Sequence, residues 1–437
     1  MGNRRALPVL DGLREEANAV TGAGRGHQFE IQLGHLCNNR CVFCSSGQLS
    51  AWKVARPVPL APIVEALERA RAQGARRVTF LGGEPTIHKD FLDALARAVA
   101  LGFEEIVIFT NGVMFPHPGF IDRVIALGAA IEWRVSIQGG NEDAHVAVTG
   151  RADSFRRIIQ GLEALRARGQ RVTANVCVNE KSYRSLPDYP ALMRAYDVRQ
   201  LHVDIVRPNS AGQRDEAHLR KIMPRYTEMA PSFRAMLEGF ARELPGFDVN
   251  VGNLPYCVLP EWAERIHHGG EETVTQAADA QGLEVAVDKY DWHFSLRTHP
   301  AGCEGCAFRP RCSGVYREYL ALHGDAEFRA VTPEALRARR RTQRLAEALR
   351  AMGPARGWRA EAPREAGDET VLPLQATDGA RVDVVLQRSP QGAVSVDFRL
   401  DDPSALDRAR PLVQRVIRAL NDCARAAPRD GALTPPT

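Results

Sequence analysis

Three cysteines near the start of the chain have a spacing that suits metal chemistry. Cys37, Cys41 and Cys44 are separated by three and two residues. Three thiolates in one short loop cannot complete the four-sulfur shell of a structural zinc ion or a cubane cluster. Either a fourth ligand comes from elsewhere in the chain, or one metal position stays open, as in a catalytic site. The spacing alone therefore fits a catalytic cluster, and it also fits a structural zinc or iron–sulfur site.

A second cysteine group lies further along the chain. Cys303, Cys306 and Cys312 form a compact array, and Cys257 lies upstream, where folding can bring it to the others. Four thiolates suit a closed site that holds either a [4Fe–4S] cluster or zinc. We expect Cys257 to be the fourth ligand, and a vacant iron is the alternative.

Composition limits the class of protein. A net charge of +4 on 437 residues and a hydrophobic fraction of 44% are ordinary for a globular chain. We expect no membrane partner, because no apolar run approaches the length of a membrane span and residues 1–26 lack the apolar core of a secretory signal. The protein is therefore expected in the cytoplasm, where cysteines serve as metal ligands rather than in disulfides. The arginine run at 337–344 favours a solvated helix face over contact with RNA or an acidic peptide, so nucleic acid is not expected.

Strand-like and helix-like segments alternate between residues 28 and 250. This alternation predicts a parallel sheet built from about six βα units, fewer than the eight that close a TIM barrel. The fold class is therefore α/β, with a partial (β/α)6 TIM-like barrel. The six predicted strands are Glu30–Leu33, Arg77–Leu81, Glu105–Phe109, Ile131–Ile137, Arg171–Val178 and Leu201–Val206.

Several of these strands alternate between polar and apolar residues. The apolar faces must lie against the amphipathic helices, so the polar faces point into the barrel and predict a ligand cavity. The side chains predicted on the inner face are Glu30, Gln32, Glu132, Arg134, Ser136, Gln138, Thr173, Asn175, Cys177, Asn179, His202 and Asp204.

The first cysteine motif, with Phe43 before its last cysteine, resembles the signature of the radical S-adenosylmethionine (SAM) superfamily. The second predicted strand ends in a Gly-Gly-Glu-Pro sequence similar to a motif of the same family, formed by Gly82, Gly83, Glu84 and Pro85. The resemblance implies that the three cysteines hold a [4Fe–4S] cluster whose open iron chelates SAM. It also implies that a carboxylate or carbonyl of the Gly82–Pro85 segment accepts hydrogen bonds from the SAM ammonium group.

Three further motifs follow later strands and are similar to those of the family. Asn111 follows the third strand, and Ser136 with Gln138 follows the fourth. Arg151 and Arg207 come later. The resemblance implies that these residues surround SAM, because ligands of parallel sheets bind at the carboxyl ends of strands. In the family, an Asp at the position of Gln138 contacts the SAM ribose. Because this chain has Gln there, that contact stays open.

The second cysteine group resembles the auxiliary-cluster region of SPASM and twitch radical SAM enzymes. The full SPASM pattern has a further cysteine where this chain has Tyr316. We therefore expect one auxiliary [4Fe–4S] cluster, with zinc as the alternative.

The resemblance implies an enzyme of the oxidoreductase or maturase type. Such an enzyme cleaves SAM reductively to a 5′-deoxyadenosyl radical and abstracts hydrogen from a substrate. The implied electron donor is similar to flavodoxin or ferredoxin. We expect a ribosomally made peptide or protein as the substrate, a small molecule of cofactor or natural-product biosynthesis as the first alternative, and a non-catalytic iron–sulfur sensor as the second.

The whole chain divides into five predicted regions. Strand-like segments near the end predict a small α+β domain of three strands and a helix. The regions are an N-terminal extension (1–27), the partial barrel (28–245), the auxiliary-cluster region (246–330), a basic helix and linker (331–370) and the tail domain (371–437).

Overall fold

The computed structural model divides the chain into two compact units. The first contains Met1–Glu304 and Phe308–Arg329, and the second contains Gly305–Ala307 and Ala330–Thr437. No helix in the described part of the chain is long and apolar enough to cross a membrane. The described residues are 28–208, 216–270, 273–278, 282–336, 338–339, 342, 358–361, 363–366, 369–388, 394–401, 410–411, 413–414 and 416–418.

Three of our sequence predictions fall outside the described residues. They concern the N-terminal extension 1–27, the segment 209–212, where the family resemblance implies that backbone packs against the adenine of SAM, and Cys423, which we expect to pack in the last helix. These expectations stay predictions.

Six parallel strands form the centre of the first unit. Each strand pairs in parallel with the next along the chain, so the order in the sheet follows the order in the sequence. The predicted α/β architecture with a parallel, barrel-like sheet is confirmed. The strands are β1 (Gln28–Gln32), β2 (Arg77–Leu81), β3 (Glu105–Thr110), β4 (Ile131–Ser136), β5 (Arg171–Val178) and β6 (Gln200–Ile205).

Helices cover the apolar face of this sheet. Phe91 and Leu95 on one helix are buried, and the Phe91 ring meets Phe80 of β2 at a centroid distance of 6.3 Å. Trp133 of β4 has no exposed surface. The apolar side of the amphipathic helices therefore packs against the sheet, as their residue pattern requires. The helices are α1 (Ser45–Ala51), α2 (Leu60–Ala72), α3 (Phe91–Ala100), α4 (Phe120–Ile125), α5 (Glu142–Thr149), α6 (Ser154–Ala167) and α7 (Tyr189–Ala195).

The sheet is wider than six strands, so the predicted count was too low. β7 (Asp248–Gly252) and β8 (Ile266–His267) continue it in parallel beyond β6. On the other side, β9 (Thr273–Gln276) runs parallel to β1, and β10 (Val287–Asp288) pairs with β9 in the antiparallel sense. The sheet order is β10-β9-β1-β2-β3-β4-β5-β6-β7-β8. Three of the four added strands are no longer than four residues, too short to show a clear period.

The rest of the first unit carries Cys257, Cys303 and Cys312 of the second cysteine group. A two-stranded ladder of β11 (Arg297–Thr298) and β12 (Val315–Tyr316) closes the loop that contains Cys303 and Cys312. Residues 223–225 separate two helices in this part of the chain. The helices here are α8 (Glu216–Ile222), α9 (Tyr226–Glu243), α10 (Lys289–Ser295) and α11 (Arg317–His323).

The second unit contains an antiparallel sheet. Leu372, Leu374, Val382 and Val384 form its core together with Val416. The three predicted tail strands are present, and two further strands precede them in the region predicted as a linker. Helical residues occur at 333–336 and 338–339, within the predicted basic helix, and at 416–418 within the predicted last helix. The strands are β13 (Trp358–Ala360), β14 (Arg364–Ala366), β15 (Glu369–Ala376), β16 (Arg381–Arg388) and β17 (Val394–Leu400).

Candidate active site

The loop of the first cysteine motif leaves the carboxyl end of β1 and leads into α1. The backbone N–H of Cys37 donates to Ser50 Oγ of α1 at 2.9 Å. The N–H groups of Arg40 and Val42 donate to the last carbonyl oxygens of α5, at 2.8 and 3.0 Å. The loop is thus fixed by hydrogen bonds to two helices.

The glycine pair after β2 lies directly against this loop. Gly83 N–H donates to Gly34 O at 2.7 Å, and Glu84 N–H donates to Leu36 O at 2.8 Å. A Cβ atom on Gly83 would lie 2.2 Å from Leu36 O, and Gly82 has a φ of +143°. Both positions therefore require glycine, because the backbones of the two segments are in contact.

The carboxylate of Glu84 is buried and receives hydrogen bonds from several donors. Thr110 Oγ1 donates to Oε1 at 2.7 Å, and the backbone N–H of Asn111 donates to Oε2 at 2.6 Å. Thr86 donates to Oε1 through its N–H and its hydroxyl. Burial raises the pKa of Glu84 above its usual value although these donors lower it. Glu84 thus joins the ends of β2 and β3, and Pro85 begins the short 3₁₀ turn that follows.

Asn111 and Arg151 both contact the cysteine loop at Asn38. Asn111 Nδ2 donates to Asn38 Oδ1 at 2.7 Å and lies 3.7 Å from the Cys37 sulfur. Arg151 Nη1 donates to Asn38 O at 3.3 Å, while its Nε donates to Asp153 at 2.6 Å. Two residues predicted to contact SAM therefore position the loop in this structure.

Gln138 joins the ends of β4 and β5. Its Oε1 accepts the backbone N–H of Cys177 at 2.9 Å, and its own N–H donates to His145 Nδ1 at 3.0 Å. His145 is fully buried, and burial lowers its pKa to about 4. The ring is therefore neutral at neutral pH, as an acceptor at Nδ1 requires. Ser136, at the end of β4, is partly exposed.

Two thiols of the loop, those of Cys37 and Cys41, are held in a protonated form. Burial raises the pKa of Cys37 to about 12, with Glu84 contributing. Burial and the neighbouring thiols raise the pKa of Cys41 well above its usual range. A metal that binds here must displace thiol protons. Within the described ranges, no three His, Cys, Asp or Glu side chains converge on one point as ligands of a single metal ion.

A cavity of about 820 Å³ lies on the polar face of the sheet. Phe43, between two cysteines of the loop, lines it. The predicted inward phase of the strands is confirmed, because most of the predicted side chains line this cavity. Gln32, Ser136, Gln138 and Asn179 are not among the described residues that line it. Those that do are Glu30, Glu132, Arg134, Thr173, Asn175, Cys177, His202 and Asp204.

Two buried carboxylates of the cavity are paired with cations. Lys289 Nζ lies 2.8 Å from Glu30 Oε1. Arg207 Nη2 lies 3.4 Å from Asp204 Oδ1. Burial alone would raise the pKa of Asp204, but Arg207 and the other nearby cations lower it to about 2. The cavity therefore has fixed charges that can orient a polar substrate.

Arg207 faces the cavity, as its position after β6 predicts. Its Nη1 also donates to His293 Nε2 of α10. His202, on β6, has Nδ1 2.9 Å from Asn250 Oδ1, and burial lowers its pKa to about 3. The histidine rings are thus neutral partners beside paired charges.

Sequence analysis missed the contribution of β7 and α10 to the cavity. Lys289, Tyr290 and His293 of α10 line it, and Asp248 of β7 does so as well. The alternation Asp-Val-Asn-Val in β7 was the available signal, because it has the period of two found in the other strands. Nothing in the sequence of α10 indicated that its side chains line the cavity.

The second cysteine group is built around β11 and β12. Cys312 Sγ accepts the N–H of Gly314 at 3.4 Å, and His299 Nε2 donates to Cys312 O at 2.8 Å. Tyr256, which precedes Cys257, stacks on Phe308 with a centroid distance of 5.2 Å. The segment of Cys257 therefore lies beside the segment that leads to Cys312. Cys303 ends a 3₁₀ turn in the first unit, whereas Cys306 is grouped with the second.

Comparison with known proteins identifies the domain around the first motif. Residues 31–181 match the sequence profile of the Radical SAM superfamily. The matched stretch begins in β1 and includes the three cysteines of the loop and the Gly82–Pro85 segment. The chain contains a radical SAM domain.

Two kinds of curated proteins are similar to this chain. The probable GTP 3′,8-cyclase of Saccharolobus solfataricus is 24% identical over 186 residues, which are 42% of this chain and 58% of that protein. The PqqA peptide cyclase of Xanthomonas campestris pv. campestris is 26% identical over 331 residues, which cover 68% of this chain and 83% of that protein. The chain thus spans less than two thirds of the GTP cyclase and most of the peptide cyclase.

Two solved structures are also similar to the chain. SuiB of Streptococcus suis bound to S-adenosylmethionine has a TM-score of 0.49 and 15% identity, covering 69% of this chain and 76% of SuiB. The anSMEcpe structure with bound AdoMet has a TM-score of 0.47 and 13% identity, covering 70% of this chain and 93% of that chain.

Proposed function

We propose that this protein is a radical SAM enzyme that modifies a peptide held in the cavity of the first unit. One observation carries the proposal: Phe43, inside the cysteine motif, lines the same cavity as the charged residues of β4, β5 and β6. A radical generated at the cysteine loop would therefore have direct access to a substrate in the cavity.

The residues of the loop fit the cofactor that the superfamily uses. Cys37, Cys41 and Cys44 would hold a [4Fe–4S] cluster, which leaves one iron for SAM. When bound, the two groups supply one-electron reductive cleavage and a hydrogen-abstracting organic radical. The contacts of Gly82 and Gly83 with the loop keep the space next to it free of side chains.

The chain's own residues suggest how SAM would be held. The Glu84 carboxylate and the Gln138 amide oxygen are already used as acceptors inside the protein. We therefore assign the ammonium contact to backbone carbonyls of the Gly82–Pro85 segment. We retain Asn111, Ser136, Gln138, Arg151 and Arg207 as residues around the SAM site.

An auxiliary [4Fe–4S] cluster is the second part of the proposal. Its ligands would be Cys257, Cys303 and Cys312 of the first unit, together with Cys306, which the spacing of the sequence adds. The hydrogen bond from Gly314 N–H to the Cys312 sulfur supports a thiolate at this position, because hydrogen bonds to sulfur stabilise its anionic form. Zinc is the alternative occupant, and the iron content decides between them.

The cavity residues would orient the substrate and exclude water from the radical. Arg207 and Lys289 present cations, and Asp204 and Glu30 present carboxylates, so a peptide with polar side chains can be bound in one orientation. This chain matches most of the length of the PqqA peptide cyclase, and that match supports a peptide over other substrates. We also propose a reducing, cytoplasmic location and a flavodoxin- or ferredoxin-like electron donor.

The first experiment tests SAM cleavage. The protein is reconstituted anaerobically with iron and sulfide, reduced with dithionite and incubated with SAM, and 5′-deoxyadenosine is measured. We expect nucleoside formation and iron for two cubanes. Cys41→Ala should abolish cleavage, whereas the matched control Cys423→Ala, outside both motifs, should retain it. Intact SAM with the full iron content would contradict the proposed enzyme activity and favour an iron–sulfur sensor.

A nucleotide is the second candidate substrate. Six basic side chains line the cavity, and GTP cyclases are among the relatives. The two candidates are separated by adding GTP or short peptides encoded beside the gene, each deuterated at carbon. Deuterium that appears in 5′-deoxyadenosine identifies the substrate class, and transfer from GTP alone would reject the peptide proposal.

A further inference from the structure

A buried guanidinium in the first unit is hydrogen-bonded to neutral side chains. Arg297 of β11 is 5% exposed. Its Nη1 donates to Ser313 Oγ at 2.5 Å, and its Nη2 donates to Tyr316 OH at 3.0 Å and to Asn253 Oδ1. The guanidinium also lies 4.4 Å from the centre of the Tyr316 ring. Its Nε has no acceptor among the described residues.

Among the described residues, none of the hydrogen-bond partners of this cation carries a negative charge. His268, the partner of Ser313, accepts the Ser313 N–H at Nδ1 and donates from Nε2 to Leu254 O, so its ring is neutral. Burial, with help from Arg297, holds the pKa of His268 well below its usual value. The acceptors of its Nη atoms in the described chain are a serine hydroxyl, a phenol and an amide oxygen, and none of them is a carboxylate.

The carboxylate on the other side of Asn253 already has a cationic partner. Asp204 Oδ1 accepts from Asn253 Nδ2 at 3.1 Å and pairs with Arg207. Asn253 therefore separates Asp204 from Arg297. Because a buried charge is costly without an opposite charge, an anion bound beside Arg297 would lower that cost.

The partners of Arg297 flank the second cysteine group. Asn253 precedes Cys257 by four residues, and Ser313 directly follows Cys312. Arg297 pairs with Tyr316 across the ladder that closes the loop carrying Cys303 and Cys312. Arg297 is thus hydrogen-bonded to both segments that bring cysteines to this region.

A substrate in the cavity is a poor source of an anion for Arg297. Asn253 and His268 line the cavity, whereas Arg297 is not among its described lining residues. A cubane with four thiolate ligands carries a net negative charge, and its charge and surrounding hydrogen bonds set its potential.

We propose that Arg297 is a positioning residue that supplies the counter-charge of the auxiliary cluster and raises its reduction potential. The inference rests on the auxiliary cluster of the proposed function. Reduction adds one electron to the cluster, and a nearby buried cation stabilises that added charge.

The test uses the full-length protein with Cys41→Ala, so that only the auxiliary cluster is loaded. Iron is counted, and the midpoint potential is measured by a redox titration followed by electron paramagnetic resonance. We expect Arg297→Gln to shift the midpoint to a lower potential. Arg297→Lys should have a midpoint close to that of the parent. The matched control is Arg317→Gln, because Arg317 is exposed on the neighbouring α11, and its midpoint should equal that of the parent.

The outcomes separate the two proposals. If the parent protein holds zinc or no metal at the second cysteine group, the proposed auxiliary cluster is wrong. An iron-loaded Arg297→Gln protein with an unchanged midpoint would overturn the role of Arg297 and leave the cluster in place. If Arg297→Gln does not fold, Arg297→Met is used, since an apolar residue of similar size often replaces a buried charge without loss of stability. Its metal-free form should melt no lower than the parent, and its midpoint should shift in the same direction as expected for Arg297→Gln.

Discussion

The backbone N–H of Asn111 donates to Glu84 Oε2 at 2.6 Å, while the side chain of Asn111 reaches Asn38 in the cysteine loop. The end of β2 is therefore connected through the end of β3 to the segment beside Cys37. The Gly-Gly-Glu-Pro sequence holds the cysteine loop in two ways, through backbone contacts of its glycines and through the carboxylate of its glutamate.

Replacing this carboxylate should loosen the loop. In Glu84→Gln, one oxygen becomes an amide that faces the N–H of Asn111, so a buried donor loses its acceptor. We expect the metal-free protein to lose about 1–3 kcal/mol of unfolding free energy and to retain less iron after reconstitution. Urea unfolding and an iron assay measure the two effects. The exposed Glu142→Gln serves as the control, and equal stability of the two variants would contradict the role of Glu84.

A methyl group on the second glycine should displace the cysteine loop. The Cβ of Gly83→Ala would lie 2.2 Å from Leu36 O, which is backbone and cannot rotate away. We expect a loss of about 1–3 kcal/mol or more, with loss of the first cluster. Gly282→Ala is the control, because nothing lies within 4 Å of its added Cβ. Full iron content in Gly83→Ala would show that the loop can move without harm.

His145 should make the protein sensitive to acid. Burial lowers its pKa from 6.5 to about 4, so the folded protein binds fewer protons than the unfolded chain between these values. Stability is therefore present above pH 6.5 and is lost as the pH falls, by about 3 kcal/mol in total. Unfolding in urea across this range measures the slope.

The matched variants for this slope are His145→Asn and His117→Asn. Asn at position 145 can still accept the N–H of Gln138 but does not titrate, so its slope should be shallower. His117 is exposed, and its variant should keep the slope of the parent. Identical slopes for all three proteins would assign the acid sensitivity to other groups.

Cys177 should react slowly with alkylating reagents in the folded protein. Burial and the nearby Asp204 raise its pKa, and only the thiolate is nucleophilic. We expect iodoacetamide to modify Cys177 at pH 8 more than about tenfold more slowly in the metal-free folded protein than in urea. Peptide mass spectrometry gives both rates. Rapid labelling of the folded protein would indicate an exposed thiolate in the cavity.

The sequence predicted those features that depend on a regular period. Alternation in β4, β5 and β6 identified the side chains that line the cavity, because a strand with one covered face fixes which residues turn inward. Motif spacing likewise located the loops at the strand ends. Glu30 and Lys289 show what could not be predicted, since their pairing requires the position of a helix that lies 259 residues later in the chain.

Side-chain roles at the strand ends were also beyond the sequence. Glu84 and Gln138 have residue types that suit a ligand, yet each uses its acceptor oxygen within the protein. Such a role depends on which donors the neighbouring strands present, and it appears only when the strands are placed side by side. Arg297 is a similar case, because its burial follows from a two-residue ladder too short to give a pattern.

The position of β1 determines the order in which the first unit can be completed. This strand lies between β2 and β9, and Glu30 accepts a hydrogen bond from Thr275, which is 245 residues away. During synthesis β1 leaves the ribosome early but obtains its second neighbour only after residue 276. Until then its open edge can pair with other chains, and contacts over such long separations form slowly. A chain that ended at residue 181 would retain that edge permanently, so we expect it to aggregate although it contains the whole matched domain.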